Sequence, residues 1–208
     1  MAVFDTKQDK ANEIEDGQSY PSKYNNMIYI ESRRKTMKDI GKQYPGAVII
    51  DVTCKAKDEV VKFSPSYPIG NIPVPFTPGL FAASVEGIWQ GLKVFEFVDV
   101  DLSYLSKRNM TRMNRLPQNN GPYVGHLKGA CSKELLNLVE ARKLIFLPCY
   151  KWVLENKLRK LVADIRTILK ERSVVLLDDH TSPDVNNPKK PLSHASLIKA
   201  YIEGNYPK

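Results

Sequence analysis

The side chains that build metal centres and disulfide frameworks are scarce in this chain. Its three cysteines, Cys54, Cys131 and Cys149, are widely separated and odd in number. That pattern argues against a disulfide scaffold and reads as reduced thiols of a cytoplasmic protein, each with a buried structural role. Three histidines accompany them at no metal-ligating spacing, so no metal is expected. No apolar run reaches the roughly 20 residues that span a bilayer, and no membrane partner is expected. The opening MAVFDTKQDKANEIEDG lacks a positive segment followed by an apolar one and does not read as a secretory signal. Glycine patterns of a P-loop or dinucleotide fold are missing, as is zinc-finger spacing.

What is present fits one enzyme-sized domain: 42% of the 208 residues are hydrophobic, enough for a substantial core. Residues 1–25 are polar and poorly patterned and are expected to form a flexible arm, which leaves residues 26–208 as the domain. The net charge of +8, from 31 Lys and Arg against 23 Asp and Glu, favours a polyanion such as single-stranded nucleic acid in principle, but it is dispersed along the chain.

The apolar periods predict an α+β fold, a small mixed sheet braced by several helices. MIYI at 27–30 and the β-branched run AVIIDVT at 47–53 read as strands. Asp51 in the second strand either orients a site group or makes a structural hydrogen bond at the sheet end. A helix is expected over 132–142, starting at Ser132 with Leu135, Leu136 and Val139 on its apolar face. LIFL then reads as a short strand. From 149 to 171, Leu154, Leu158, Leu161, Val162, Ile165, Ile168 and Leu169 form a helical packing stripe. SVVLLDD switches to a buried strand that ends in acids, and a terminal helix follows with Ser193 as its N-cap and His194 supporting packing or a nearby acid.

The stretch FSPSYPIGNIPVPFTPGLFAASVEGIWQGLKVF, residues 63–95, carries the most chemistry. Pro65, Pro68, Pro73, Pro75 and Pro78 with Gly70 and Gly79 oppose a regular element and favour a shaped loop, in which Phe63, Tyr67 and Phe76 supply ring surface. A helix over 84–95 beginning at Ser84 would place Glu86, Gln90 and Lys93 on one face beside Trp89. A carboxylate activates water or holds a sugar hydroxyl, an ammonium meets a phosphate or leaving group, and an indole stacks on a base. The alternative is an ion-paired stripe on a surface helix over a core Trp. Seven residues are roughly 10 Å along an ideal helix, too far for a simple Glu86–Lys93 pair, which favours a ligand between them.

Further along, Lys107, Arg108, Arg112 and Arg115 either clamp phosphate or form a solvated face. NNGPYVGHLKG, with Gly121, Gly125 and Gly129, reads as a flexible phosphate-facing loop, in which His126 is either an acid or base or a hydrogen-bonded loop residue. In the loop after the last strand, Asp178, Asp179 and Asp184 are candidates for chemistry, with turn capping as the alternative for Asp184.

Two blocks, FSPSYP leading to SVEGIWQGLKVF and then VVLLDDHTSPDV, are similar to the NADAR or YbiA-like superfamily of N-glycosidases. Its comparable segment has a Phe-Tyr-Pro loop followed by a Val-Glu helix with a downstream Gln and Lys. Some members remove ADP-ribose from guanine in nucleic acid, and others act on ribosylamino intermediates. The resemblance covers scattered blocks between residues 60 and 185 and departs from the pattern at Ser64-Pro65, at Ser66 and at the additional Gly87 and Gly91. It implies a YbiA-like fold with Glu86, Lys93, Asp178 and Asp184 as catalytic residues. Phe63, Tyr67, Trp89, Gln90, Arg108, Arg112, His126 and Asp179 are then expected around a ribosylated nucleotide or ADP-ribosyl group. No cofactor is expected, because hydrolysis needs positioning, charge stabilisation and water. A noncatalytic ADP-ribose or single-stranded nucleic-acid module would use the same groups without a working acid.

Overall fold

A computed structural model describes residues 26–208; the expected arm, residues 1–25, lies outside the described residues. In chain order the elements are β1 (Ile28–Ser32), α1 (Met37–Gln43), β2 (Val48–Asp51), β3 (Ile72–Pro73), β4 (Phe81–Ala82), α2 (Val85–Gly91), β5 (Lys93–Phe95), α3 (Pro117–Asn120), β6 (Tyr123–Leu127), β7 (Leu135–Leu136), α4 (Leu138–Ala141), α5 (Leu147–Asn156), α6 (Arg159–Ile168), β8 (Val174–Asp178) and α7 (His194–Ile202). The fold is α+β, with small sheets packed among several helices.

Five consecutive buried residues make β8 a strand covered on both faces. It is the centre of a parallel sheet ordered β1-β8-β2, with Ile30 and Ile50 flanking Leu176. Alternation along β8 sends Val174 and Leu176 into the main core and Val175 and Leu177 into a smaller cluster with Ile40 of α1. On the main-core side, Ala195, Leu197 and Ile198 of α7 join α5 and α6. Asp51, at the end of β2, pairs with Arg33 at 2.8 Å and accepts from the Thr53 amide and hydroxyl, the structural alternative for that acid.

A second, antiparallel sheet, β5-β6-β7, pairs Lys93 with His126 and His126 with Leu136. It corrects two expectations. The glycine-rich segment around His126 is strand β6 rather than a flexible phosphate loop, and a Cβ on Gly125 would lie 2.8 Å from the Leu136 carbonyl oxygen, so glycine lets β7 approach. The helix expected from Ser132 is replaced by β7, with Leu135 exposed, and helix begins only at α4, where Asn137 and Glu140 form a capping box.

The helix expected over 84–95 is shorter. Ser84 caps α2 as predicted, accepting from the Gly87 amide at 2.9 Å. Leu92 ends it, and Lys93 enters β5. Gly87 and Gly91 mark a close approach: added Cβ atoms would stand 2.6 Å from the Tyr104 carbonyl and 3.3 Å from that of Asp101. The 3-10 turn Leu102–Ser106 packs there.

LIFL is likewise not a strand. Arg142–Phe146 forms a π turn that joins α4 to α5, the Leu147 amide donating to the Arg142 carbonyl. The long stripe breaks at Lys157 and Leu158, whose amides both donate to the Val153 carbonyl. It still packs as expected, with Leu154, Leu158, Leu161, Val162 and Ile165 buried. Among the described residues no helix is long and apolar enough to cross a membrane.

Candidate functional site

The C-terminal ends of β2 and β8, the N-terminus of α7, α2 and the π turn converge on a cavity of about 560 Å³. Its wall includes Glu86, Trp89, Gln90 and Lys93 on one side and Asp178, Asp179, His180 and His194 on another, with Arg142 and Phe146 from the π turn. The helix of the aromatic stretch and the acidic loop after the last strand therefore share one cavity.

On the α2 side, Gln90 joins the two charged groups. Its Nε2 donates to Glu86 Oε1 at 2.7 Å, and its Oε1 accepts from Lys93 Nζ at 2.9 Å and from the Arg115 amide at 3.0 Å. The seven-residue gap between Glu86 and Lys93 is thus spanned by an amide, from a strand rather than from one helical face. Glu86 keeps some surface open to the cavity, yet it sits deep enough that burial raises its pKa, against the opposing pull of Gln90, Lys93 and His194. Burial lowers the pKa of Lys93, with the Glu86 carboxylate opposing and Arg115 adding to the shift. Desolvation of each group thus opposes its charged form, while their mutual attraction favours it.

Trp89 forms part of the wall, backed by His126 with ring centroids 3.9 Å apart and met edge-on by Phe146 at 5.7 Å. His126 is fully buried beneath it, bonded through Nδ1 to the Tyr123 hydroxyl at 2.8 Å. Its Nε2 has no hydrogen-bond partner among the described residues. Burial, with Lys93 and Arg115 nearby, pushes its pKa down to about 3. His126 is therefore a neutral support of the wall and not a group that reaches ligand.

On the opposite side Asp178 is 2% exposed, and its Oδ2 accepts from the Ser193 hydroxyl at 2.7 Å and the Ala195 amide at 3.1 Å, with His194 Nδ1 3.1 Å away. The carboxylate at the start of α7 fixes His194, whose Nε2 faces the Val52 carbonyl at 2.8 Å. Asp179 and His180 are exposed at the rim.

Other expected site residues stand elsewhere. The Phe63 ring is fully buried in the core, its carbonyl accepting from the Tyr150 hydroxyl at 2.7 Å, so it offers no surface to ligand. Tyr67 is half-buried outside the cavity wall. Arg108 and Arg112 are exposed and also outside it. Asp184 is exposed and caps a turn, accepting from the Asn186 amide at 2.9 Å. Cys54 and Cys131 are exposed, against the expectation of burial, while Cys149 is buried and its thiol pKa pushed well up. Among the described residues no group of three or more His, Cys, Asp or Glu side chains is placed to hold a metal ion.

Arg142 and Phe146 carry no local motif that marks them as site residues. A π turn brings both to the cavity, and such turns recur at functional sites, but nothing in RKLIF distinguishes it from an ordinary helix or strand. No curated protein and no solved structure matches the chain in comparison. A family model does match, over residues 32–198, and the chain belongs to that family, which is described as a family of unknown function, DUF6939.

Proposed function

We propose that the cavity hydrolyses a ribosyl N-glycosidic bond, as in the NADAR or YbiA-like N-glycosidases that the sequence resembles, and that the fold is a variant of theirs. The observation that carries this reading is the Glu86–Gln90–Lys93 chain at the cavity wall: a desolvated carboxylate held by an amide, with a cation beyond it. In such a reaction water adds to the anomeric carbon and the heterocycle leaves with a proton. Glu86 accepts the proton from the attacking water or orients a ribose hydroxyl, and its charge stabilises oxocarbenium character at the sugar. Lys93 donates to the departing heterocycle or a phosphate, and Trp89 offers its free ring surface to a planar base. Asp178 acts through His194 as a positioning residue. The substrate class is a ribosylated nucleotide or ADP-ribosyl group.

The test is incubation of the full chain with ADP-ribosylated nucleic acids and ribosylamino compounds, read by mass spectrometry. Glu86→Gln is expected to lower single-turnover cleavage by about a hundredfold or more, the scale of a positioned acid–base group, with ligand binding retained. Equal rates for the folded variant and wild type would remove Glu86 from the mechanism. Binding across the panel without release would instead support a noncatalytic ADP-ribose or single-stranded nucleic-acid module.

A further inference from the structure

Two buried arginines clamp backbone carbonyls in this fold, and they differ in one respect. Arg115, 6% exposed, donates to the carbonyls of Gln90, Lys93 and Asp99 and lies outside the cavity wall. Arg142, also 6% exposed, is part of that wall. Its Nη1 donates to the carbonyls of Val185 at 3.2 Å and Asn187 at 2.8 Å, and its Nη2 to that of Lys190 at 2.7 Å. A guanidinium has five N–H donors, so the Nε–H and one Nη2–H remain without a protein acceptor among the described residues. Donors on adjacent nitrogens of a planar fork suit two oxygens of a phosphate.

Charge balance points the same way. None of the ion pairs among the described residues includes Arg142 or Lys93. The carboxylate that attracts Arg142 most, Asp184, is exposed and engaged in its own turn. Asp178 is already engaged by the Ser193 hydroxyl and the Ala195 amide. A buried cation met only by carbonyl dipoles is costly to hold until a counter-charge arrives. The three carbonyl bonds also fix the guanidinium, so an arriving anion has little ordering cost to bear.

We propose that Arg142 is an anion subsite of the cavity and takes a phosphate group of the ligand, with Lys93 as the second cation of the same wall. This rests on the nucleotide-like ligand of the preceding reading but not on cleavage. The subsite selects phosphate-bearing ribosides over free ribosides, and the clamp couples it to the loop from Asp184 to Lys190.

Calorimetric titration of the full chain with inorganic pyrophosphate reads the subsite directly. Wild type is expected to bind, more weakly as salt rises, and Arg142→Gln to lose tenfold or more in affinity while Arg108→Gln stays unchanged. Absence of binding by wild type at millimolar pyrophosphate overturns the proposal. So does equal affinity in a folded Arg142→Gln variant, or a loss that follows Arg108 instead. If Arg142→Gln does not fold, wild-type crystals soaked in tungstate decide: an anomalous peak within hydrogen-bond distance of the Arg142 guanidinium is expected, and a peak elsewhere or none refutes it. Pyrophosphate binding without glycoside cleavage would leave the subsite standing and fail the hydrolase reading. Cleavage of phosphate-free ribosides with no pyrophosphate binding would do the reverse.

Discussion

Replacing Glu86 by Gln is expected to stabilise the fold while disabling the cavity. Burial outweighs the pull of Gln90, Lys93 and His194, so the folded-state pKa of Glu86 lies above its ordinary 4.5. Ionising this carboxyl therefore costs more in the folded chain than in the unfolded one. By linkage the cost is absent below the unfolded value, grows as pH rises from there through the folded value, and is constant above it. Every tenfold weakening of the acid on folding corresponds to about 1.4 kcal/mol, and about 1 kcal/mol moves the Tm of a chain of this size by about 2–4 °C. A Gln side chain has nearly the same shape, carries no charge, and keeps a carbonyl oxygen to accept the Gln90 Nε2 bond of 2.7 Å. The attraction of Lys93 is already included in the raised pKa, so the sign holds while Lys93 stays charged. Paired thermal melts at pH 8 and pH 4 check this. The variant should melt higher at pH 8 and level with wild type at pH 4. A variant that melts no higher at pH 8, or a difference independent of pH, would refute the assignment of Glu86 as a desolvated carboxylate.

Glycine packing gives a second test, since Gly87→Ala forces a Cβ to within 2.6 Å of the Tyr104 carbonyl whereas Gly41 in α1 has nothing within 4 Å. Urea unfolding should show Gly87→Ala losing about 1–3 kcal/mol and Gly41→Ala gaining about 0.5–1 kcal/mol; similar effects at both sites would contradict the close approach. His126, with its pKa pushed down to about 3, should show no shift of its ring C–H NMR signals between pH 5 and 8. Its neutral burial should also make stability fall as pH drops below 6.5 toward 3, by up to about 1.4 kcal/mol per pH unit. A titration midpoint near 6.5 would show that the ring reaches solvent.

Local chemistry made much of the framework readable. The β-branched run before Asp51 and the apolar run before Asp178 formed adjacent parallel strands, because residues buried on both faces leave a continuous apolar signature. Ser84 and Ser193 capped the helices they were expected to cap, since a hydroxyl beside the first free amides acts within one turn. The errors fell where a distant partner overrode local preference. Leu135 and Leu136 suit a helix, yet β6 recruits them into an edge strand. Lys93 follows a helical segment, yet pairing with His126 draws it out. Pairing across about ten residues in the first case and about thirty in the second has no trace in a local period.

The same division holds for the cavity. Glu86, Gln90 and Lys93 were legible as a polar set because their spacing survives on a helix with one residue beyond it, and Asp178 because an acid closes an apolar strand. Phe63, Arg108, Arg112 and Asp184 stand apart from that cavity, which the sequence did not show because an aromatic or charged residue in a loop looks alike whether it faces the core, solvent or a ligand. The sequence by itself determined the buried strand, the caps, the polar triad and the scarcity of metal-ligating residues, all properties of neighbouring residues and composition. Only the tertiary structure decided that Gln90 bridges Glu86 to Lys93 and that a π turn carries Arg142 into the wall. Those outcomes depend on which surfaces close against each other in three dimensions, and burial, not residue type, then sets the charge state of each group there.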